Sequence, residues 1–347
     1  MIPAELTGAA FWLPLIFAGL MAFAILTYVI LDGYDLGVGI LVPFVKNEAE
    51  RDLMIASIGP FWDANETWLV LGVGILLVAF PAAHGLILTN LYLPVTLMLI
   101  GLILRGVAFD FRVKVQAQHK RLWDQAFSAG SLLAACAQGF MLGQWITGFA
   151  ATPVAWLFAI GIGIALAGGY ALLGAGWLIM KCEHGLQQRA VRWAQFTLKF
   201  TAAGIAAVSI ATPLVSPRIF AKWFSLDTFF VLLPIPVMSI GLVLLLAIFL
   251  ARLAQDTQAG NQFGLQRWAW TPFAGTTFLF TLAFLGLAHS MFPYLALDRI
   301  TLWEAASAIE SLWFMLWGTL LVVPAIIGYT LFSYRVFWGK ALPLTYY

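Results

Sequence analysis

The feature that most constrains this chain is a series of apolar stretches that recurs from one end to the other. A helix of about 20 apolar residues is long enough to cross the roughly 30 Å hydrocarbon core of a bilayer. Nine such stretches lie at residues 10–31, 57–80, 85–108, 126–149, 154–180, 200–216, 229–250, 273–292 and 308–334. The sequence therefore predicts an all-α, polytopic membrane protein with about nine transmembrane helices.

Composition excludes the other large classes of protein. Of the 347 residues, 62% are apolar and only 10% are charged, whereas about 25% are charged in an ordinary soluble domain. Such a chain cannot cover a globular surface with charge, which excludes a soluble enzyme, a nucleic-acid binder and a disordered protein. No polar stretch is long enough for an extramembrane domain, so we expect one transmembrane domain over residues 1–347.

The basic residues predict how the chain is oriented. Fifteen of the 18 lysines and arginines follow odd-numbered predicted helices or lie in the C-terminal tail, and only Arg218, Lys222 and Arg299 lie on the other side. Cytoplasmic loops of membrane proteins carry the excess of Lys and Arg. We therefore expect a periplasmic N-terminus and a cytoplasmic C-terminus.

Ionisable residues at membrane depth are costly, and they usually serve a function. The apolar run of the first helix resumes after Asp32 and Asp35 and continues to Phe44, so these carboxylates interrupt a long helix rather than end it. Asp63 and Glu66 lie at the start of the second helix. Each pair has the i,i+3 spacing that places both carboxylates on one face of a helix. Arg105 lies at the inner end of the third helix, so we expect it at the same depth. Such a cluster suits a proton path, but it also suits an ion or substrate site.

Other polar residues fit simpler interpretations. Asp110, Arg112, Lys114 and Asp124 are interpreted as salt-bridged or snorkelling helix ends. The four histidines are His84, His119, His184 and His289, and no second group of His, Met or Cys supports a metal site at any of them. Cys136 and Cys182 lack the spacing of a metal or redox pair. The sequence therefore predicts no cofactor ligand and no metal ligand in this chain.

Three motifs carry a resemblance to a known family. The stretches Asp32-Gly-Tyr-Asp-Leu-Gly-Val-Gly39, Phe61-Trp-Asp-Ala-Asn-Glu-Thr-Trp68 and Arg105-Gly-Val-Ala-Phe-Asp-Phe-Arg112 resemble signature stretches of subunit II of cytochrome bd-type quinol oxidases. Two later segments, Phe292-Pro-Tyr294 and Leu302-Trp-Glu-Ala-Ala-Ser307, are also similar. The resemblance implies a bacterial inner-membrane terminal oxidase that oxidises quinol and reduces oxygen to water.

The same resemblance implies cofactors, partners and roles. Haem b and haem d would be carried by the partner, subunit I, and the substrate would be ubiquinol or menaquinol. A structural quinone, lipid and a small single-helix subunit are further candidates for binding. Asp32, Asp63 and Arg105 would line a proton path from the cytoplasm, supported by Asp35 and Glu66, and Trp68 would lie near an oxygen route.

The sequence departs from the family pattern at a few positions, and two other functions stay open. Tyr34 and Ala64 stand where phenylalanine and glycine are usual, which leaves the branch of the family undecided, although the short length favours the cyanide-insensitive type. The main alternative is a stand-alone secondary transporter with an intramembrane Asp/Arg site. A second is a purely structural assembly subunit. Transporters tend to have broken helices near the midplane in paired halves, whereas the charges here crowd one side.

Overall fold

The helices follow the apolar stretches of the sequence. The computed structural model describes residues 6–342. The long helices are α1 (Ala9–Leu41), α3 (Trp62–Ala79), α4 (Pro81–Lys114), α5 (Ala117–Ile146), α6 (Pro153–Lys181), α7 (His184–Val215), α10 (Pro234–Gln258), α12 (Thr271–Met291) and α14 (Ile309–Val336). The shorter elements are a 3₁₀ turn (Val42–Phe44), α2 (Glu48–Ile58), α8 (Pro217–Trp223), α9 (Leu226–Leu232), α11 (Gln262–Trp268), β1 (Tyr294–Ala296), β2 (Ile300–Thr301) and α13 (Leu302–Ala305).

The predicted fold class is confirmed. Within residues 6–342, nine helical segments are long and apolar enough to span a membrane. Two of these segments join a short helix to a long one, α9 with α10 over Leu226–Gln258 and α11 with α12 over Gln262–Met291. The protein is therefore an all-α, multi-pass membrane protein.

The sixth spanning helix differs from its predicted length. The apolar stretch indicates 200–216, but α7 begins at His184 and has 32 residues. Its first turns carry polar residues that are held by neighbouring helices, since the Gln187 amide donates to the carbonyl of Ile179 and Arg189 pairs with Glu50 of α2. Hydropathy misses these turns because their side chains are polar. They are helical nonetheless, since contacts with neighbouring helices satisfy those side chains.

Helix α1 runs without a break through its two aspartates. The residues from Asp32 to Gly39 are all buried, and they lie against α3, α5 and α6. Glycine permits the closest of these approaches. A Cβ atom on Gly37 would lie 1.8 Å from the carbonyl oxygen of Tyr170, and one on Gly174 would lie 2.4 Å from the carbonyl carbon of Gly37. The backbones of α1 and α6 thus pack directly on each other, as small residues allow in membrane helices.

The two ends of the bundle differ in character. The charged end is where α1 and α4 finish and α2, α3 and α5 begin. In the described part of the chain, eight of the nine ion pairs lie at this end or just inside it. The opposite, hairpin end carries the antiparallel strands β1 and β2.

Tryptophan holds the hairpin end together. The indole nitrogen of Trp145 donates to the carbonyl of Leu295 at 2.6 Å, and that of Trp303 donates to the carbonyl of Phe11 at 3.1 Å. The hairpin is therefore fixed to α5, and α13, which follows it, is fixed to α1.

The C-terminal segment fixes the last helix at the charged end. The Lys181 amine donates to the carbonyl of Phe337 at 2.8 Å, and the Lys340 amine donates to that of Met180 at 3.0 Å. Burial lowers the pKa of the Lys340 amine. These contacts set the position of Tyr334, one of the polar residues of the interior.

Candidate functional site

Arg105 lies at the centre of a buried ion cluster. Its guanidinium donates to Asp32 Oδ1 at 2.6 Å and to Glu66 Oε1 at 2.5 Å. The three side chains come from α4, α1 and α3, and their exposed fractions are 1% for Arg105, 0% for Asp32 and 26% for Glu66. The structure therefore brings together three of the residues that the sequence predicted, and we call this group, with Asp35, the Arg105 site.

Asp35 lies in a connected polar group on the same part of α1. The Asn65 amide donates to Asp35 Oδ2 at 2.7 Å and to the Tyr34 hydroxyl at 3.0 Å. The hydroxyls of Tyr34 and Tyr334 are 2.7 Å apart, and Tyr334 also donates to Asn65 Oδ1 at 3.1 Å. Asp35 therefore has neutral partners, in contrast to Asp32, which pairs with Arg105.

Sequence reasoning missed Asn65 and Tyr334. Asn65 stands between Asp63 and Glu66, so a polar residue at that position of a membrane helix was a usable signal. Tyr334 follows Tyr34 by 300 positions, and nothing in the sequence links them. Only the packing of α14 against α3 and α1 shows this contact.

The Arg105 site carries an excess of carboxylates. Asp32, Asp35 and Glu66 are opposed by one guanidinium, and the two aspartates are fully buried. Placing like charges together away from water is unfavourable, because burial and mutual repulsion both oppose ionisation. The arrangement therefore favours retention of a proton among the three carboxyl groups.

Asp63 stays outside the buried contacts. It lies in the first turn of α3 and is exposed, three residues before Glu66 on the same helix face. Exposure falls in steps from Asp63 through Glu66 to Asp32. Of the four carboxylates expected at the depth of Arg105, Asp32 and Glu66 contact its guanidinium and Asp35 is buried on the same helix as Asp32, while Asp63 lies at the surface of this chain.

Trp68 lies in a small apolar cluster beside the site. It is 2% exposed and packs with Ala24 and Tyr28 of α1. The Phe23 ring meets its indole edge-on, with centroids 5.7 Å apart. Its indole nitrogen is buried and has no acceptor within residues 6–342.

A second ion cluster lies nearer the charged end. Arg112 pairs with Asp124 and with Asp52, and Arg51 pairs with Asp124 at 2.8 Å. Lys120 and Glu48 extend the group at its exposed side, 3.0 Å apart. We call these six residues the Arg112 cluster, which ties α2 to α4 and α5. The interpretation of Arg112 and Asp124 as salt-bridged helix ends agrees with this geometry.

Neither the histidines nor the grooves form a metal centre. Among residues 6–342, no three His, Cys, Asp or Glu side chains are placed to hold a metal ion. One groove of about 300 Å³ lies between α7 and α10, beside Gln195 and Lys199. A second, of about 750 Å³, lies beside Arg218 and Lys222 at the hairpin end. Histidine lines neither groove, so neither offers the usual axial ligand of a haem.

Comparison with known proteins agrees with the motifs. The family model for cytochrome bd terminal oxidase subunit II matches residues 13–337. Cytochrome bd ubiquinol oxidase subunit 2 of Bacillus subtilis is 29% identical, over 94% of this chain and 97% of the relative. Cytochrome bd-I ubiquinol oxidase subunit 2 of Escherichia coli K12 is 26% identical, over 98% and 96%.

A solved structure supports the same fold. One chain in the structure of the bd oxidase from Geobacillus thermodenitrificans matches with a TM-score of 0.71 at 17% identity, over 95% of this chain and 100% of that chain. The family match covers nearly the whole length, including every residue of the Arg105 site. The chain therefore belongs to the cytochrome bd terminal oxidase subunit II family, and it is a component of a quinol-oxidising terminal oxidase.

Proposed function

We propose that the Arg105 site forms part of a proton-uptake path that leads from the cytoplasmic face towards the oxygen-reducing centre of the partner subunit. The observation that carries the proposal is the graded exposure of Asp63, Glu66 and Asp32 along two helices that meet at Arg105. A proton taken up at the surface by Asp63 reaches Glu66 next. Arg105 contacts both Glu66 and Asp32, which places the buried carboxylate within reach of the same guanidinium.

The charge of the site suits this role. Carboxyl groups hold and release protons when burial disfavours their ionised form and a nearby cation favours it. Arg105 supplies that cation for Asp32 and Glu66, and Asn65 supplies a neutral donor to Asp35. The site can therefore exchange a proton without leaving a bare charge in the membrane.

The cofactors and partners follow from the family. We propose that haem b and haem d are held by subunit I, where they supply the electron transfer and the reduction of oxygen. This proposal agrees with the two grooves described above, since histidine lines neither of them. The named relatives are ubiquinol oxidases, and ubiquinol or menaquinol is proposed as the substrate here.

The remaining expectations concern placement and further binding. We propose that the chain lies in the bacterial inner membrane with its N-terminus periplasmic and the charged end cytoplasmic, because the basic residues crowd that end. A structural quinone, lipid and a small single-helix subunit remain candidate partners. Trp68 is proposed to border an oxygen route because it lies in an apolar cluster beside the site.

The decisive experiment replaces the first carboxylate of the path. In the complete oxidase, we expect Asp63→Asn to preserve assembly and haem content. Oxygen consumption should fall about tenfold or more, because a group that transfers protons is lost. Asp227→Asn is the matched control, because Asp227 is also an exposed aspartate in the first turn of a helix, α9. Normal turnover with a full proton yield in the Asp63 variant would show that the path is wrong.

A transporter would behave differently. If this chain alone, without a partner or haem, catalysed uptake of a solute into liposomes, the Asp/Arg site would be a transport site. We expect no uptake by the isolated chain, and co-purification with a second large, haem-bearing membrane chain.

A further inference from the structure

A chain of neutral polar groups runs from Asp32 into the interior between α1, α5 and α6. The Tyr170 hydroxyl donates to Gln138 Oε1 at 2.7 Å, and the Gln138 amide nitrogen donates to the Tyr28 hydroxyl oxygen at 2.7 Å. Tyr28 stands four residues before Asp32 on α1, so the two side chains share a helix face. Nothing in the proposed proton path uses these three residues.

The end of this chain at Asp32 has an unused acceptor. Asp32 Oδ1 accepts from Arg105, whereas Oδ2 is buried and has no hydrogen-bond donor within residues 6–342. Tyr28 is buried one helical turn before Asp32 on α1, which places its hydroxyl on the same side of the helix as the carboxylate. Because the Tyr28 oxygen accepts from Gln138, its own hydrogen remains to be donated, and the neighbouring unsatisfied oxygen is that of Asp32.

The carboxylate fixes the direction of the whole chain. With Tyr170 donating to Gln138, Gln138 donating to Tyr28 and Tyr28 donating to Asp32, each group meets a partner. With the Gln138 amide turned over, Tyr28 would donate to Gln138, and the buried Asp32 Oδ2 would stay without a donor. An unsatisfied buried carboxylate oxygen is unfavourable, so the first direction is the more stable one.

We propose that Tyr28, Gln138 and Tyr170 are positioning residues that form a one-way hydrogen-bond chain, with every donor aimed at Asp32, and that this chain stabilises the ionised form of Asp32. The inference rests on the proposed proton path, in which Asp32 exchanges protons. Successive donors in a low-dielectric interior polarise one another, so even the distant Tyr170 contributes.

The chain also limits where protons can go. A hydroxyl can accept one proton while it releases another, but the amide of Gln138 has only fixed donors on nitrogen and an acceptor on oxygen. It holds the orientation without passing a proton on. Protons that reach Asp32 are therefore kept from the space between α5 and α6.

Several ionisable groups face Asp32 from the elements packed against it. Arg105 of α4 and Glu66 of α3 belong to the site already described, and Asp35 lies on α1 itself. The hydroxyls of Tyr170 of α6 and Tyr334 of α14 are the other titratable groups that face Asp32. All of these groups remain in place when Tyr28 loses its hydroxyl, so that substitution isolates the donor.

The test is the pH dependence of oxygen consumption in the complete oxidase. Tyr28→Phe removes the donor to Asp32 and keeps the ring. Since the ionised carboxylate is then less stable, we expect the acidic limb of the pH–turnover profile to move to higher pH by about one unit, the scale of one lost hydrogen bond. Tyr170→Phe should move the limb the same way by less. Tyr329→Phe, at a 64% exposed tyrosine of α14, should leave it in place.

The outcomes separate this inference from the proton path. Reduced turnover in Asp32→Asn together with an unmoved acidic limb in Tyr28→Phe at full haem content would overturn the one-way chain and leave the path standing. Normal turnover in Asp32→Asn would overturn both. A shifted limb in Tyr28→Phe that is absent from a Tyr28→Phe, Asp32→Asn double variant would support the assignment, because a purely structural effect of Tyr28 would not depend on Asp32.

Discussion

Two arginines on one face of α4, Arg105 and Arg112, organise two ion clusters that differ in charge balance. The Arg112 cluster contains three cations and three carboxylates, and its ion pairs connect α2, α4 and α5 at the charged end. The Arg105 site contains one cation and three carboxylates, two of them fully buried. The two arginines are seven positions apart, which is about two helical turns.

The difference in charge balance bears on the roles proposed for the two clusters. In a balanced set of ion pairs at a helix end, each carboxylate is opposed by a cation. A buried set with surplus carboxylates is stable only if it retains a proton. We therefore propose a stabilising role for the Arg112 cluster beside the proton exchange proposed for the Arg105 site. Three experiments test this comparison, and a fourth tests a carboxylate at the hairpin end.

The largest effect is expected from removing the single cation of the unbalanced site. Arg105→Met leaves Asp32, Asp35 and Glu66 without a counter-charge, and loss of one partner of a buried ion pair costs about 3–5 kcal/mol. We expect a strong loss of assembled, haem-containing complex and of its thermal stability. Arg121→Met, at an exposed arginine of α5, is the control. A stable Arg105→Met complex with normal turnover would contradict the comparison.

A smaller effect on stability, with none on catalysis, is expected in the balanced cluster. Asp124→Asn leaves Arg112 and Arg51 with weaker partners, and we expect the free energy of unfolding to fall by about 1–3 kcal/mol. The thermal midpoint of the solubilised complex should fall, while oxygen consumption per haem stays unchanged. Reduced turnover in complexes that assemble normally would mean that the Arg112 cluster also serves the reaction.

The converse result is expected at Glu66. Glu66→Gln keeps an acceptor for Arg105 but removes an ionisable group, so we expect stability to change by less than about 1 kcal/mol. Oxygen consumption should fall about tenfold if Glu66 passes protons. Comparing haem content with turnover in the same preparation separates the two effects. A loss of assembly with unimpaired turnover would reverse the roles of the clusters.

The smallest effect is expected at the hairpin end, where a carboxylate is held by hydrogen bonds alone. The Thr301 backbone amide and hydroxyl donate to Glu304 in a capping box, and they hold the pKa of that carboxyl below its usual range. Because the folded-state pKa lies below the unfolded one, the stabilisation is present above about pH 4.5 and is lost as the pH falls further. Glu304→Gln should therefore flatten a slight fall in the thermal midpoint at acidic pH. An unchanged acid dependence would show that this carboxylate contributes nothing.

The sequence predicted the fold well because hydropathy reports directly on membrane burial. Nine spans were expected and nine are found within residues 6–342, including a first helix that continues through Asp32 and Asp35. Hydropathy underestimated the length of α7, because the first turns of this helix carry polar residues, which are satisfied by contacts with Ile179 and Glu50. The amphipathic helix α2 and the short hairpin lie outside the apolar stretches, so hydropathy could not find them.

The site was only partly predictable, for a physical reason. Spacing along one helix indicated which carboxylates share a face, and depth indicated that Arg105 lies near them. Which side chains meet across helices depends on packing. The exposure of Asp63 and the contact of Tyr334 with Tyr34 therefore emerged only from the structure.

The glycine crossing of α1 and α6 has a mechanical consequence for the choice between oxidase and transporter. Two backbones in direct contact at Gly37 and Gly174, with no side chain between them, cannot rock apart or slide without opening a void in the most buried part of the chain. Alternating access requires such a movement around its binding site. Asp32 stands little more than one helical turn from this crossing. Asp32 therefore lies on a rigidly packed part of α1. This suits a path along which protons move while the helices keep their positions.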